Sequence, residues 1–484
     1  EPVIFNAFVT KPTSQGRPPF TLWAILRNIV FYIPPVLGSA FILLLSFMAM
    51  LVPAKKSSRQ AAIGWMLHRA CRILVGYAAF IHPKRIGPDG ERIRSWKGEA
   101  GVIVANHQSS LDIIMILATF PKVKFMVADW VLTSPLFGVI SRFLGYYSRS
   151  EGYEKSLERL RVDVADGWCL AVFPEGTRSL NGKIKRFHKG AFYLASQVGV
   201  PVIPVVFYGN WRIAPKNQGF NMTEGIAVTE ILPPVQSAGV EYHELTSSIS
   251  ALVKSEYAVL CSKYDSPVNP YFRKALVSSY IYKGPVTEWY VKVKTKMEDS
   301  YSFFHSVLPR EGRITDIGCG MGQMDFMLSM YCPERRIIGI DYDADKIAVA
   351  QNSWLLKNLP DLEFRCGNAS ECELPESNAF VISDMLHYLD AEAQAALIRR
   401  CAEKLLSGGM ILVRDSDSEN AKGQKVTALS EVFSTRILAF NRTQGELNFI
   451  SHSRMETIAS TVGLKMTVRS NDAVTSNTFY ILKF

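Results

Sequence analysis

Two strand-to-helix turns, far apart in the chain, constrain this sequence more than any other feature. In the first, Gly101–Ala105 (GVIVA) reads as a short buried strand that runs through Asn106-His107-Gln108-Ser109-Ser110-Leu111-Asp112 into the apolar IIMIL. In the second, Arg313–Ile317 reads as a strand that turns at Gly318-Cys319-Gly320-Met321-Gly322 into the helix QMDFMLSMY. Each turn needs its own αβ layer to hold it. Length agrees, because 484 residues at about 100–200 per domain give two to four domains.

The first turn carries chemistry. Ser109 or Ser110 can cap the helix, which leaves His107 on the turn and Asp112 on the first helical turns. The carboxylate can then reach one imidazole nitrogen while the other takes a proton, making a general base for a hydroxyl or amine nucleophile. Alone, such a pair is more often a coincidence or a capped structural histidine. A second strand, Leu170–Phe173, ends in Pro174-Glu175-Gly176-Thr177-Arg178-Ser179. That turn offers backbone N–H groups, a carboxylate and a guanidinium, which suit an oxyanion and phosphate oxygens. Lys183, Lys185, Arg186 and Lys189 follow, and their bland reading is a solvated face; Val200–Val205 (VPVIPV) comes next.

In this order NHQSSLD, FPEGTRS and VPVIPV closely resemble the glycerolipid acyltransferases of the lysophosphatidate type, over roughly residues 60–262. The resemblance implies an αβ fold, no metal, and acyl transfer from a thioester, acyl-CoA or acyl carrier protein, to a hydroxyl. It makes His107 the base and Asp112 its orienter, with Glu175, Gly176 and Thr177 at the substrate site and Arg178 on a phosphate. One region departs from the pattern. Asp129 and Trp130 stand where the family carries a basic residue, and Glu151 takes the place of the phosphate-gripping arginine, with Arg149 two places early. Glycerol phosphate as the acceptor is therefore in doubt.

In the second block Ile337–Ile340 reads as a strand closed by Asp341, which follows Gly322 by 19 residues. Glycines let a backbone approach a cofactor, and an acid at this place can hold two ribose hydroxyls. Alone, the glycine turn is weak evidence. With Gly367-Asn368-Ala369, FVISDMLHYL (380–389) and LSGGMILV (406–413), the order resembles class I S-adenosyl-L-methionine-dependent methyltransferases over residues 300–484. The resemblance implies a doubly wound, Rossmann-like sheet closed by an antiparallel hairpin, LKMTVRS with TFYILKF. It puts Asp316, Gly318, Gly320 and Gly322 around the methionine end, Asp341 on the ribose and Asn368 at the adenine, with Asp384 also in the cofactor site. His387 is a candidate base, although histidine is frequent at this place.

Charge separates the halves. Residues 1–265 carry 29 Lys/Arg against 18 Asp/Glu, and residues 266–484 carry 25 against 26. Only the first half is expected to meet an anionic partner: a membrane surface, a phosphate-rich acyl donor or an acidic carrier protein. No basic helix or aromatic-studded motif points to nucleic acid. Eight scattered cysteines without a Cys-x-x-Cys pair argue against a disulfide framework or zinc site. Residues 29–52 are uncharged and apolar, long enough to cross a bilayer but interrupted by Pro34-Pro35, so the sequence predicts a spanning, bent or interfacial anchor.

The expected layout is a polar tail and anchor at 1–58, an acyltransferase-like domain at 59–264, a helical connector at 265–299 and a methyltransferase domain at 300–484. Function is expected to be bifunctional, acting on a lipid or lipid-like acceptor at a bacterial inner membrane with both domains facing the cytoplasm. The pair also resembles the tail of bacterial fusions that begin with an RND-type permease. The alternative is a phospholipid-building lysophosphatidate acyltransferase whose methyltransferase fold only binds cofactor as a scaffold.

Overall fold

The computed structural model describes residues 22–135, 138–216, 222–298, 300–416, 448–470 and 477–484. They form two compact units that divide between Tyr271 and Phe272, inside the stretch expected to be a connector.

The first unit opens with helices α1 (Leu22–Leu51) and α2 (Lys56–Tyr77). Helix α1 runs through Pro34-Pro35 instead of breaking there, although each proline removes an N–H donor. No helix among the described residues is long and apolar enough to cross a membrane, which leaves the spanning form of the expected anchor unsupported. What α1 does carry is a stripe of exposed apolar side chains. Leu22, Leu26, Ile29, Ile33, Leu37, Phe41, Leu44, Met48 and Leu51 recur every three or four residues.

The sheet of this unit has seven strands in the order β1-β7-β6-β2-β5-β3-β4. They are β1 (Lys84–Ile86), β2 (Val102–Ala105), β3 (Val123–Val127), β4 (Tyr147–Ser148), β5 (Cys169–Val172), β6 (Val202–Tyr208) and β7 (Val228–Ile231). Strands β6, β2, β5, β3 and β4 run parallel, and β7 is antiparallel to β6. Every residue of β2, β5 and β6 is buried, the continuous apolar pattern of a sheet covered on both faces. Helices α3 (Leu111–Thr119), α4 (Gly190–Val198) and α5 (Tyr242–Tyr264) supply the cover. Full burial of each such aliphatic chain contributes about 1.5–3 kcal/mol.

The second unit carries helices α6 (Pro285–Met297) and α7 (Gln323–Tyr331) and a seven-stranded sheet in the order β10-β9-β8-β11-β12-β14-β13. Its strands are β8 (Gly312–Ile317), β9 (Arg335–Asp341), β10 (Leu362–Cys366), β11 (Ser377–Ser383), β12 (Leu405–Ser416), β13 (Lys465–Ser470) and β14 (Asn477–Lys483). Strands β8 to β12 are parallel, while β14 lies antiparallel between β12 and β13. The order reverses between β8 and β11, and a doubly wound sheet binds its ligand at the carboxyl ends of the strands beside such a reversal.

Candidate functional sites

In the first unit the strand end and helix start bring His107 and Asp112 together as expected. His107 Nδ1 lies 2.8 Å from Asp112 Oδ2. The same oxygen accepts the N–H groups of Gln108 (2.6 Å) and Ser109 (2.8 Å), while Oδ1 accepts Asn210 Nδ2 at 2.7 Å. Asp112 is fully buried, and these four bonds fix its orientation and compensate its desolvation. Nδ1 therefore carries the proton, and Nε2 is left as the basic atom. The imidazole is stacked on Phe173, centroids 3.9 Å apart, with 14% of its side chain exposed.

Asn210 was not legible as a site residue. It sits on the short helix Asn210–Ile213 just after β6, which a buried cluster holds in place. Arg212 grips Asp265 with both terminal nitrogens, at 2.7 and 3.1 Å, and Tyr208 donates to the same carboxylate.

Glu175 takes a different place from the expected one at the substrate. Its carboxylate is turned inward, accepting His107 N at 2.8 Å through Oε1 and Lys185 N at 2.9 Å through Oε2. Burial pushes its carboxyl pKa up against these two bonds. Glu175 thus pins the base-bearing turn to the second turn. Gly176 adopts φ +72°, and a Cβ there would meet Arg149 Nη2 at 3.0 Å and the His188 ring at 3.6 Å. The positive φ is what favours glycine here. Thr177 Oγ1 accepts Lys216 Nζ at 3.0 Å, which brings in a second cation unseen in the sequence. Arg149, two places early by motif, thus lies against the turn, and Arg178 makes no ion pair among the described residues.

The two acids of the departing region are paired locally. Asp129 accepts from Ser148 and, at 2.9 Å, from Ser150, which lowers its pKa. Glu151 is held by Arg159 at 2.5 Å, and that guanidinium lies 4.2 Å over the Tyr147 ring. Neither acid reaches the turn bearing Gly176 through any described contact.

In the second unit the glycine turn is a tight reversal: Gly318, Gly320 and Gly322 all have positive φ. Gly318 N and Cys319 N donate to Ile340 O at 2.8 and 3.1 Å, which locks the turn to the end of β9. A Cβ on Gly322 would strike Phe364 at 2.4 Å, whereas one on Gly320 would meet nothing within 4 Å. The space over Gly320 is what a cofactor needs. Asp341 is 7% exposed and accepts Gly320 N (2.7 Å) and Asp343 N (2.9 Å) on separate oxygens, each with a lone pair remaining for a hydroxyl.

Asn368 is exposed and bonded locally, to Ser370 N at 3.1 Å and Glu371 at 3.2 Å. Asp384 has φ +54°, a strained conformation for a non-glycine residue, and lies 3.4 Å from Arg414. Burial pushes its pKa up and Arg414 opposes the shift.

Asp316 stands beside Asp325 of α7, a residue the sequence did not single out. Both are buried, and Asp316 Oδ1 and both carboxylate oxygens of Asp325 have no hydrogen-bond partner among the described residues. Burial pushes Asp325 up to about 7 and Asp316 well up, with Asp341 and Asp384 adding to the Asp316 shift. Burial, with Asp325, Asp316 and Asp341 adding to it, raises the Cys319 thiol. The buried acids, the open space above Gly320 and the free lone pairs of Asp341 fit a cationic nucleoside cofactor. His387 Nδ1 lies 2.7 Å from Asp415 Oδ1, and its backbone N–H reaches Asp415 Oδ2 at 3.1 Å.

Comparison with known proteins assigns both units. The acyltransferase family profile matches residues 88–208, and a methyltransferase-domain profile matches residues 314–409. A chloroplastic 1-acyl-sn-glycerol-3-phosphate acyltransferase of Brassica napus is 36% identical over 24% of this chain and 34% of its own length. The alpha form from Mus musculus is 26% identical over 45% of this chain and 77% of its own. The chain spans 34%, 43% and 44% of the three plant and algal relatives it matches. Among solved structures, the 1-acyl-sn-glycerophosphate acyltransferase of Thermotoga maritima aligns with TM-score 0.42 and 24% identity, covering 49% of this chain and 97% of that one. An O-methyltransferase family protein from Burkholderia thailandensis aligns with TM-score 0.32 and 20% identity, covering 44% and 58%.

Proposed function

With an acyltransferase domain at 88–208 and a methyltransferase domain at 314–409 in one chain, we propose a bifunctional transferase. The first unit moves an acyl chain from a thioester to the hydroxyl of a lipid or lipid-like acceptor. The second moves a methyl group from S-adenosyl-L-methionine to a related substrate. The observation that carries the reading is the 2.8 Å contact of His107 with an Asp112 saturated by four bonds.

In the acyl step Nε2 of His107 takes the acceptor hydroxyl proton as the oxygen attacks the thioester carbonyl. Asp112 stabilises the imidazolium that results. The tetrahedral intermediate then expels the thiolate, and Nε2 returns the proton to sulfur. Arg149, Lys216 and Arg178 supply the positive charge for an anionic acceptor. The relatives' names make 1-acylglycerol 3-phosphate the first acceptor to try.

The cofactor supplies an electrophilic methyl group when bound. Asp341 would hold the ribose hydroxyls, Asp316 and Asp384 the cationic end, and the turn Gly318–Gly322 the close backbone approach. Methyl transfer depends mainly on alignment of acceptor and cofactor.

We further propose that the exposed stripe of α1 lies in the interface of a membrane, a bacterial inner membrane with both units on the cytoplasmic side. The exposed apolar stripe supports this, as interfacial helices bind through buried apolar area. The test is intact-lipid mass spectrometry on cells carrying wild type or His107→Ala. Loss of one acylated lipid class with the variant is expected, and an unchanged lipid profile would sink the acyl reading.

A further inference from the structure

The basic run after the FPEGTRS turn is divided by the fold into two faces. Lys185 N donates to Glu175 Oε2 and His188 N to Pro174 O, both at 2.9 Å, so these residues are stitched to the catalytic turn. Arg186 and Lys189, each next in the chain to one of them, instead line a groove of about 340 Å³, together with His243 and Lys254 of α5. Thr246, Ser247 and Ser250 complete the helical side of it. These α5 positions recur at intervals of three and four residues, so one polar face of the helix looks into the groove.

No carboxylate is among the lining residues, and Arg186, Lys189 and Lys254 form no ion pair among the described residues. Cations that converge without counter-ions repel one another, and an anion with several charges relieves that repulsion. Hydroxyls and guanidinium together suit phosphate oxygens. The volume lies at the lower end of the range for small-molecule sites, about 300–1,000 Å³. That is room for a nucleotide-sized group, whereas a protein partner docks over about 800 Å² a side. Lys185 and His188, the chain neighbours of Arg186 and Lys189, are bonded to the turn that carries Glu175 and Gly176.

We propose that the groove binds the phosphorylated nucleotide end of a coenzyme A thioester, and so selects coenzyme A over a carrier protein as acyl donor. The inference rests on the acyltransferase reading above.

The full chain is assayed with acyl-coenzyme A and with the matching acyl-pantetheine, which has the same thioester and no phosphate. Double reversal, Arg186→Glu with Lys254→Glu, should raise KM for acyl-coenzyme A about tenfold or more with little change in kcat, the scale of losing one charge-assisted bond. The penalty should vanish with acyl-pantetheine. Arg161→Glu, an exposed cation outside the groove, should leave both KM values alone. An equal penalty on both donors, no penalty on acyl-coenzyme A, or a penalty confined to an acylated carrier protein would overturn the proposal. If wild type uses no thioester at all, the acyltransferase reading fails. Calorimetric binding of free coenzyme A, weakened by high salt and by the double reversal, then decides the groove by itself.

Discussion

Each unit holds one histidine against one aspartate with nearly the same geometry, 2.8 Å for His107–Asp112 and 2.7 Å for His387–Asp415. The surroundings differ. His107 has 14% of its side chain exposed at the mouth of a glycine turn lined by cations, whereas His387 and Asp415 are 3% and 1% exposed. The His387 ring packs 4.2 Å from Tyr388 and 5.3 Å from Phe449, and Asn448 N ties down its carbonyl at 2.8 Å. An oriented imidazole is therefore not yet a base. Access and a place for developing charge decide what the pair does, and on both counts the first pair is equipped for chemistry and the second for cohesion.

Breaking the first pair should have the largest effect. His107→Ala should lower acyl transfer by about 10²–10⁴ while S-adenosyl-L-methionine affinity, read by calorimetry, stays unchanged. Breaking the second should act on stability. His387→Ala takes the imidazole away from buried Asp415, which keeps the backbone N–H at that position, a loss of about 1–3 kcal/mol, so the melting of the second unit should move down while the acyl rate of folded protein is kept. If methyl transfer collapsed with no change in melting, His387 would be a base after all.

Two smaller effects sharpen the contrast through the cofactor site. Asp341→Ala would remove the two proposed hydroxyl contacts, and affinity for S-adenosyl-L-methionine should fall about tenfold or more without touching acylation. The Asp316–Asp325 pair should make the same affinity depend on pH. Its raised folded-state values mean that the buried acids favour the free fold at low pH and cost it stability as pH climbs through about 7. Losing that proton uncovers negative charge, so a cationic cofactor should bind more tightly as pH rises from 6 to 8, by up to about tenfold per unit. Asp325→Asn should flatten the profile, and a flat wild-type profile would show that the pair does not titrate there.

Asp112→Asn should be milder than His107→Ala only if orientation, not charge, is the main contribution of Asp112. Gln108 N, Ser109 N and Asn210 were bonded to a carboxylate, and an amide can still accept some of those bonds. With an orienting role, rates should fall between those of wild type and His107→Ala, and a rate as low as that of His107→Ala would make the charge its main contribution.

What the sequence disclosed follows from how local each feature is. His107 and Asp112 lie five residues apart, so a strand-to-helix turn is enough to join them, and the glycine turn with Asp341 joins two adjacent strands. Asn210 and Lys216 reach the site only because β6 pairs with β2, 98 residues of separation in the case of Asn210 and Asp112. Asp415 reaches His387 through the β11–β12 ladder. Asp325 gave no signal because a lone acid in an apolar helix looks like a surface residue until the packing buries it. Glu175 was legible as a member of the site but not in its direction, since the same carboxylate could face a substrate or two backbone N–H groups. The helical continuity of α1 through two prolines was also outside local rules.

Strand β14 has a consequence for the order in which the second unit can be built. It pairs with β12 on one side and β13 on the other, although both precede it in the chain. As the polypeptide leaves the ribosome, β12 must wait with an unpaired edge, and β13 emerges with nothing to dock on. Unsatisfied strand edges are sticky surfaces for other chains. Synthesis therefore passes through a vulnerable interval that closes only when Asn477–Lys483 slides between the two waiting strands.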